Sequence, residues 1–522
     1  MKHLTLSITM LLLLVASNMR AAENSGRLDG TIVSRNTSTN QLTVAHAEVK
    51  GLMGAMTMSY EVRGQKVASL PKDGAKITAT LHQSNGAFWL TDVKAAEQQT
   101  MPGHSMNEKP AEHSMSGMQD MKMSGDATSD FLMRQASGTS MNPAAAPMHM
   151  SMWQRGDWML MLHGLAFVNQ VVQSGPRGGD KLFSTNWIMG MADRPLGGGH
   201  LLLRSMLSLE PATVGDQYPE LFQTGETLHG RPIVDAQHPH DFFMELAAEY
   251  AHPLGDGTIG YIYAAPMGDP SLGPVAYPHR ASASEIPQAA LSHHVQDSTH
   301  IAASVLTIGA QRGSLGFSLS GFRGAEPDEK RWNIEHGKID SWAARLTFDP
   351  SPNWAAQIST GHLKHPEALE AGDIQRTTAS VSYSGSSPIG HLDSSFVFGH
   401  NDKSEGHSTN AWLAESVLEI ADGNYVTGRA EVVDKDELFA GDASVPTVIE
   451  HNVFRIKALT LGYSRDVLTM LALKGAVGAN VTLYSLPRAI QPFYGSSPHA
   501  VYLFVRLRGG DSMQHGHSRH TM

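Results

Sequence analysis

Residues 313–322 read GSLGFSLSGF. In an extended chain successive side chains point to opposite faces. Leu315, Phe317 and Leu319 then share one face, and Ser314, Gly316, Ser318 and Ser320 the other. Residues 341–348 repeat the pattern, with Trp342, Ala344, Leu346 and Phe348 set against Ser341, Ala343, Arg345 and Thr347. So do 376–384, where Thr378, Ser380 and Ser382 alternate with Ala379, Val381 and Tyr383. In 241–251, Phe242, Met244, Leu246, Ala248 and Tyr250 oppose Asp241, Phe243, Glu245, Ala247 and Glu249. Segments of about ten residues, apolar on one face and small or polar on the other, suit strands with lipid outside and a polar lumen inside.

Working outward, sixteen such segments are predicted between 153 and 508: 157–171, 182–193, 199–210, 241–252, 258–266, 299–311, 314–323, 340–349, 353–363, 376–385, 391–400, 409–421, 424–434, 450–464, 470–484 and 499–508. Connections after odd-numbered segments are expected to be long, notably 211–240, 267–298, 324–339 and 435–449. Those after even-numbered segments are short, such as RPLGG, PLGDG and DPSP. Short turns at the periplasmic end and longer loops outside are how outer-membrane barrels are built, and an even count returns both ends to the periplasm. A soluble sandwich does not need this alternation, and no blade-length repeat points to a propeller. The fold class expected is therefore all-β, ending in a transmembrane antiparallel β-barrel of about 16 strands.

Lys2 and His3, a run ending LLLLVAS and the small residues around Ala21-Ala22 read as a secretory signal over 1–22. Cysteine is absent, as suits an envelope protein that crosses an oxidising periplasm. The formal net charge of −11 argues against a nucleic-acid partner. Methionine is the anomaly, at 27 copies, eleven of them between Met101 and Met152. Residues 98–152, with His104, His113 and His149 among Ser, Gly, Pro and Asn, are expected to form a disordered Met/His-rich linker that captures metal. The tail 509–522 carries His515, His517 and His520, a harder and weaker site.

Residues 46–58 read HAEVKGLMGAMTM. Met56 and Met58 are at i and i+2, so a strand carries them on one face. Met53 lies three residues earlier, and His46 precedes it. Thioethers are soft ligands, suited to Cu(I) and Ag(I) and poor for Mg, Ca or Mn. Met also fills gaps in ordinary cores, and the alternation around Thr57 fits that role too.

Residues 24–97 resemble the CusF family of periplasmic copper-binding domains. GTIVSRNTSTNQLTVAHAEV (30–49) resembles its first hairpin, GLMGAMTMSYEV (51–62) its ligand strand, and LPKDGAKITATL (70–81) and GAFWLTDVKAAE (86–97) its closing strands. The resemblance implies a small OB-like five-stranded barrel that binds Cu(I) or Ag(I) through His46, Met56 and Met58. Met53 stands where the best-known members place a Trp over the metal, a departure that changes any cation–π contact there.

Two long loops are rich in His. GRPIVDAQHPHDFF (230–243) offers Asp235, His238, His240 and Asp241, and AYPHRASASEIPQAALSHHVQDSTH (276–300) offers His279, His293, His294, Asp297 and His300. His238, His240, His293, His294 and His300 are candidate metal ligands, with packing of the loops into the lumen as the competing reading. In the first three strands Met159, Met161 and His163 share a face, as do Met189 and Met191, while Met206 shares one with His200, Arg204 and Glu210. These could form a thioether patch or face lipid. No G-x-S-x-G, no HExxH and no Cys nucleophile is present, so catalysis is not expected.

The sequence thus points to an outer-membrane-anchored copper/silver-binding protein of metal homeostasis or resistance, with its N-terminal domain in the periplasm. Expected partners are outer-membrane lipid and periplasmic metal chaperones or efflux components. The alternative is a general porin-like channel or envelope scaffold with incidental metal binding.

Overall fold

The computed structural model describes residues 24–36, 40–46, 49, 56–72, 74–84, 87–95, 126–297, 302–369, 372–446, 449, 452–470, 473–510 and 512–513. The chain divides into two units, residues 1–117 and 118–522. The signal segment 1–22, the linker residues 98–125 and the tail histidines His515, His517 and His520 lie outside the described residues.

The first unit is a closed five-stranded barrel. Its strands are β1 (Asn24–Asn36), β2 (Gln41–His46), β3 (Met56–Val62), β4 (Lys76–Ser84) and β5 (Ala87–Ala95), ordered β1-β2-β3-β5-β4. The β3–β5 pair is parallel and the others antiparallel. Period-two alternation sends Leu28, Ile32, Leu42, Val44, Tyr60, Val62, Leu81 and Leu90 into one core.

The second unit contains the large barrel. Its sixteen strands are β6 (Trp158–Gln173), β7 (Asp180–Leu196), β8 (Gly199–Leu207), β9 (Phe243–Gly255), β10 (Thr258–Gly268), β11 (Ala302–Arg312), β12 (Leu315–Arg323), β13 (Ser341–Ser351), β14 (Trp354–Leu363), β15 (Ile374–Ser387), β16 (Gly390–Lys403), β17 (His407–Ala421), β18 (Asn424–Lys435), β19 (Phe454–Met470), β20 (Leu473–Ser485) and β21 (His499–Gly509). Neighbours pair antiparallel in chain order, and β6 closes the sheet on β21 with Val168 opposite Val505. All sixteen predicted segments are strands.

The alternation behaves as the sequence requires. Leu315, Phe317 and Leu319 are 61%, 46% and 42% exposed on the outer wall, whereas Ser318 and Ser320 are buried inside. Leu306, Ile308, Leu346, Ile358, Leu459, Leu461, Leu503 and Val505 extend the same outer band. Apolar surface on this scale needs lipid to cover it, and a closed barrel leaves no strand edge unpaired within the bilayer. The unit is a transmembrane barrel of the outer-membrane kind.

The turns from β7 to β8 and from β9 to β10 are two residues long. Asp256 and Gly257 have φ of 50° and 69°, and Gly197 and Gly198 have 58° and 83°. Left-handed backbone at both central positions is what a two-residue hairpin turn demands, hence the glycines. Of the connections on the opposite side, expected to be mostly long, one is short. β16 ends at Lys403 and β17 begins at His407, so that connection is a three-residue turn.

The expected linker is also corrected in its second half. Residues 127–133 form helix α1 (Ala127–Met133), capped by Asp126, whose carboxylate accepts from the Thr128 amide at 2.8 Å. The segment that follows is fixed to the lumenal wall. Arg345 donates to Ser140 and Thr139, both at 2.6 Å, Gln135 donates to Glu249 at 2.8 Å, and Arg204 donates to the Gly138 carbonyl at 2.8 Å. Ser151–Arg155 adds a short strand against β6. The composition of 126–152 supplies no period and little core of its own, and its order comes from polar partners on the wall.

Residues 269–297 of the loop between β10 and β11 fold into the lumen. Arg280 pairs with Glu415 at 3.3 Å, Glu285 with Arg506 and with Arg508 at 3.2 Å, and the Ser292 hydroxyl donates to Glu431 at 2.8 Å.

Candidate metal centre

In the small barrel, β2 and β3 run antiparallel with His46 opposite Met56 and Val44 opposite Met58. Directly opposed residues share a face, and Met58 keeps that face two residues on. Tyr60 and Val62, further along β3, belong to the core. His46, at the end of β2, is buried. Its Nε2 lies 2.6 Å from the Tyr60 hydroxyl. Burial pushes the Tyr60 pKa up to about 12, so the phenol stays protonated and able to hold the imidazole. Met53 falls outside the described residues.

In the large barrel the candidate loop histidines come close together but take different partners. The His238 and His294 rings are 6.0 Å apart, and His293 and His294 are 4.1 Å apart. Nδ1 of His238 donates to the Pro239 carbonyl at 3.0 Å, while its Nε2 lies 3.1 Å from Glu226. Nδ1 of His293 donates to the Ala290 carbonyl at 2.6 Å. Nδ1 of His240 lies 2.9 Å from Glu210. Burial, aided by Arg331 and His294, holds the pKa of His238 well below the usual range. For His240 burial acts in the same sense, but Glu210 outweighs it and raises the pKa. The i, i+2 spacing therefore does not give two equivalent ligands, because strand alternation ends at Gln237. Among the described residues no group of three or more His, Asp or Glu is arranged to hold a metal ion. His300 lies outside the described residues.

The methionines of β6–β8 point into the barrel. Met161, Met189, Met191 and Met206 are buried, and the ladder sets Met161 opposite Met191, His163 opposite Met189, and Met189 opposite Met206. This settles the parity the sequence left open.

Residues 25–95 match the family model described as copper binding periplasmic protein CusF. They form a CusF-like domain. Apo-CusF residues 6–88 from Escherichia coli align with 16% of this chain and 100% of their own, at 19% identity and TM-score 0.14. The anion-selective porin from Comamonas acidovorans aligns at 12% identity over 67% of this chain and 99% of its own, TM-score 0.44. Salmonella typhi OmpF, in a complex with daunomycin, aligns at 9% identity over 69% of this chain and 100% of its own, TM-score 0.42. No curated protein matches the sequence. The chain is an outer-membrane protein with a periplasmic CusF-like domain.

The donors of that domain fit a soft monovalent ion. The ladder registers His46 opposite Met56 and Val44 opposite Met58, and thioethers as a class favour Cu(I) or Ag(I) over harder ions. Sequence reasoning missed Tyr60. Tyr in a strand reads as an ordinary core aromatic, and the available signal was its parity with Met56 and Met58. It placed Met133, Met148, His149 and Met150 in the metal-capturing linker, whereas they pack within the barrel, and it did not single out Met244 and Met267 on β9 and β10.

Proposed function

We propose that this protein captures Cu(I) or Ag(I) in the periplasm, in metal homeostasis or resistance, and that the outer-membrane barrel anchors the capture site. His46, Met56 and Met58 bind the ion, and Met53 contributes a further thioether. The observation that carries this reading is the β2–β3 register, which sets His46 opposite Met56 with Tyr60 beside the imidazole. Tyr60 acts as a positioning residue, since a partner on one ring nitrogen fixes the orientation in which the other meets a metal. The Met/His-rich residues 98–125 add capture capacity close to the domain. Periplasmic metal chaperones or efflux components would supply or receive the ion. No catalytic role is assigned.

The alternative, a general channel with incidental metal binding, has less support. Ion pairs and hydrogen bonds from loop 269–301 to Glu415, Glu431 and Arg508 cross the space an open pore would need. The test compares copper and silver tolerance of cells making the full chain with cells making a chain that lacks residues 24–125. The deletion spares 126–152, which belong to the barrel. Lost tolerance, with the barrel still heat-modifiable in the outer membrane, is expected. Full tolerance from the barrel alone would overturn the reading.

A further inference from the structure

The buried methionines of the large barrel are not scattered. One apolar cluster has fourteen buried members, and eight are Met: Met133, Met150, Met161, Met189, Met191, Met206, Met244 and Met267. A second cluster of the same unit has twenty-two buried members and no Met. Two smaller clusters there have none either. Methionine used as a gap-filler would be spread over all of them.

These thioethers are joined by imidazoles at a cavity of about 330 Å³. Met148, Met150 and Met189 line it together with His149, His163 and His279. Nε2 of His279 lies 3.0 Å from the sulfur of Met206. The His163 and His279 ring centroids are 6.3 Å apart. One ion bridging two imidazoles sets their centroids roughly 6 Å apart, since a metal–nitrogen bond is ~2 Å. Nε2 of His163 and Nδ1 of His149 are buried and have no hydrogen-bond partner, an uncommon condition for a polar atom in a protein interior. The Trp187 ring lies 4.3 Å from that of His279 and 5.1 Å from that of His163, so an ion held there would have an aromatic face beside it.

We propose that the barrel lumen holds a second soft-metal site, for Cu(I) or Ag(I), built by His163, Met189, Met206 and His279. It shares with the CusF-like domain only the identity of the ion. The four donors are sulfur and nitrogen, which serve a hard divalent ion poorly; Asp130 is the one carboxylate lining this cavity, while Met206 and His279 also line a smaller neighbouring cavity with Glu245, Asp269 and Asp297.

The experiment uses the full chain in detergent, carrying Met56→Leu and Met58→Leu to disable the first site. Ag(I) is titrated into this variant and into one that also carries Met189→Leu and Met206→Leu. Both keep residues 98–125, so binding there cancels in the comparison. Leu nearly conserves the volume of Met, and heat-modifiable migration checks that the barrel is intact. The expected result is loss of one Ag(I) equivalent, or at least tenfold weaker binding of it, on adding the lumenal changes, with X-ray absorption before the loss showing both sulfur and nitrogen ligands. Equal binding by the two variants would overturn the proposal. A second arm needs no change to the proposed ligands. Ag(I) should quench fluorescence in the Met56→Leu/Met58→Leu chain, and Trp187→Phe should remove that quenching. Quenching that survives Trp187→Phe unchanged would overturn it as well. Failure of the first site is read separately, from wild type against Met56→Leu/Met58→Leu.

Discussion

Nε2 of His46 lies 2.6 Å from the hydroxyl of Tyr60, across neighbouring strands of the CusF-like domain. Tyr60→Phe keeps the ring in the core and removes the hydroxyl beside the imidazole. Loss of such a partner weakens metal binding ~10–100-fold, whereas one net hydrogen bond contributes only about 1 kcal/mol to stability. A competition titration with Ag(I), run beside a thermal melt, should therefore show a large drop in affinity and a small drop in midpoint. Unchanged affinity would remove Tyr60 from the site.

The same phenol makes the domain sensitive to alkali. Its pKa is pushed up to about 12 in the folded state, and the ordinary Tyr value is about 10. Folding favours the neutral form, so its contribution is complete below pH 10 and is lost as the pH rises through 12. Urea midpoints for residues 24–97 should fall between pH 10 and 12. Tyr60→Phe should flatten that slope, and an equally steep slope in the variant would assign it to another group.

How much of this was legible in the sequence follows from which residues obey a period. The sixteen strands were readable because lipid and lumen impose opposite demands on successive side chains, as Leu315 and Ser318 do. The CusF-like strands were readable from their resemblance to that family, including the run that holds Met56 and Met58. Residues 126–152 were not, because Ser140 and Thr139 are ordered by Arg345, some two hundred positions away in the chain. The turn at 404–406 broke the long-loop expectation, since nothing local requires an external connection to be long. The lumenal parity of Met161 and Met189 was decided by ladder register, which the chain does not print.

The closed lumen depends on Glu285. It is fully buried between Arg506 and Arg508, which project from β21. Glu285→Gln takes the paired carboxylate from Arg508 and leaves Arg506 with Asp466, and breaking a buried pair from one side costs ~3–5 kcal/mol. Loop 269–301 should loosen, and single-channel conductance in planar bilayers should rise. Conductance identical to that of wild type would show that the loop is held without this pair.

Topology can be read by labelling introduced cysteines on intact cells, as the chain has none of its own. Gly230 and Glu405 are exposed on the connections opposite the short turns, and cysteines there should react. Cysteines at Gly198 or Asp256, on the two-residue turns, should not. Gly225, although in a long connection, is unsuitable, because a Cβ there would meet the His294 ring at 2.6 Å. The reverse pattern would invert the barrel.

The central claim is soft-metal capture by His46, Met56 and Met58. The most direct measurement is a Cu(I) or Ag(I) titration of the full chain and of its Met56→Leu/Met58→Leu variant. The variant's stability should differ by less than ~1.5 kcal/mol, because Leu nearly matches Met in volume. The account predicts that one tightly bound equivalent is lost while the domain stays folded. Binding curves that superimpose would contradict it.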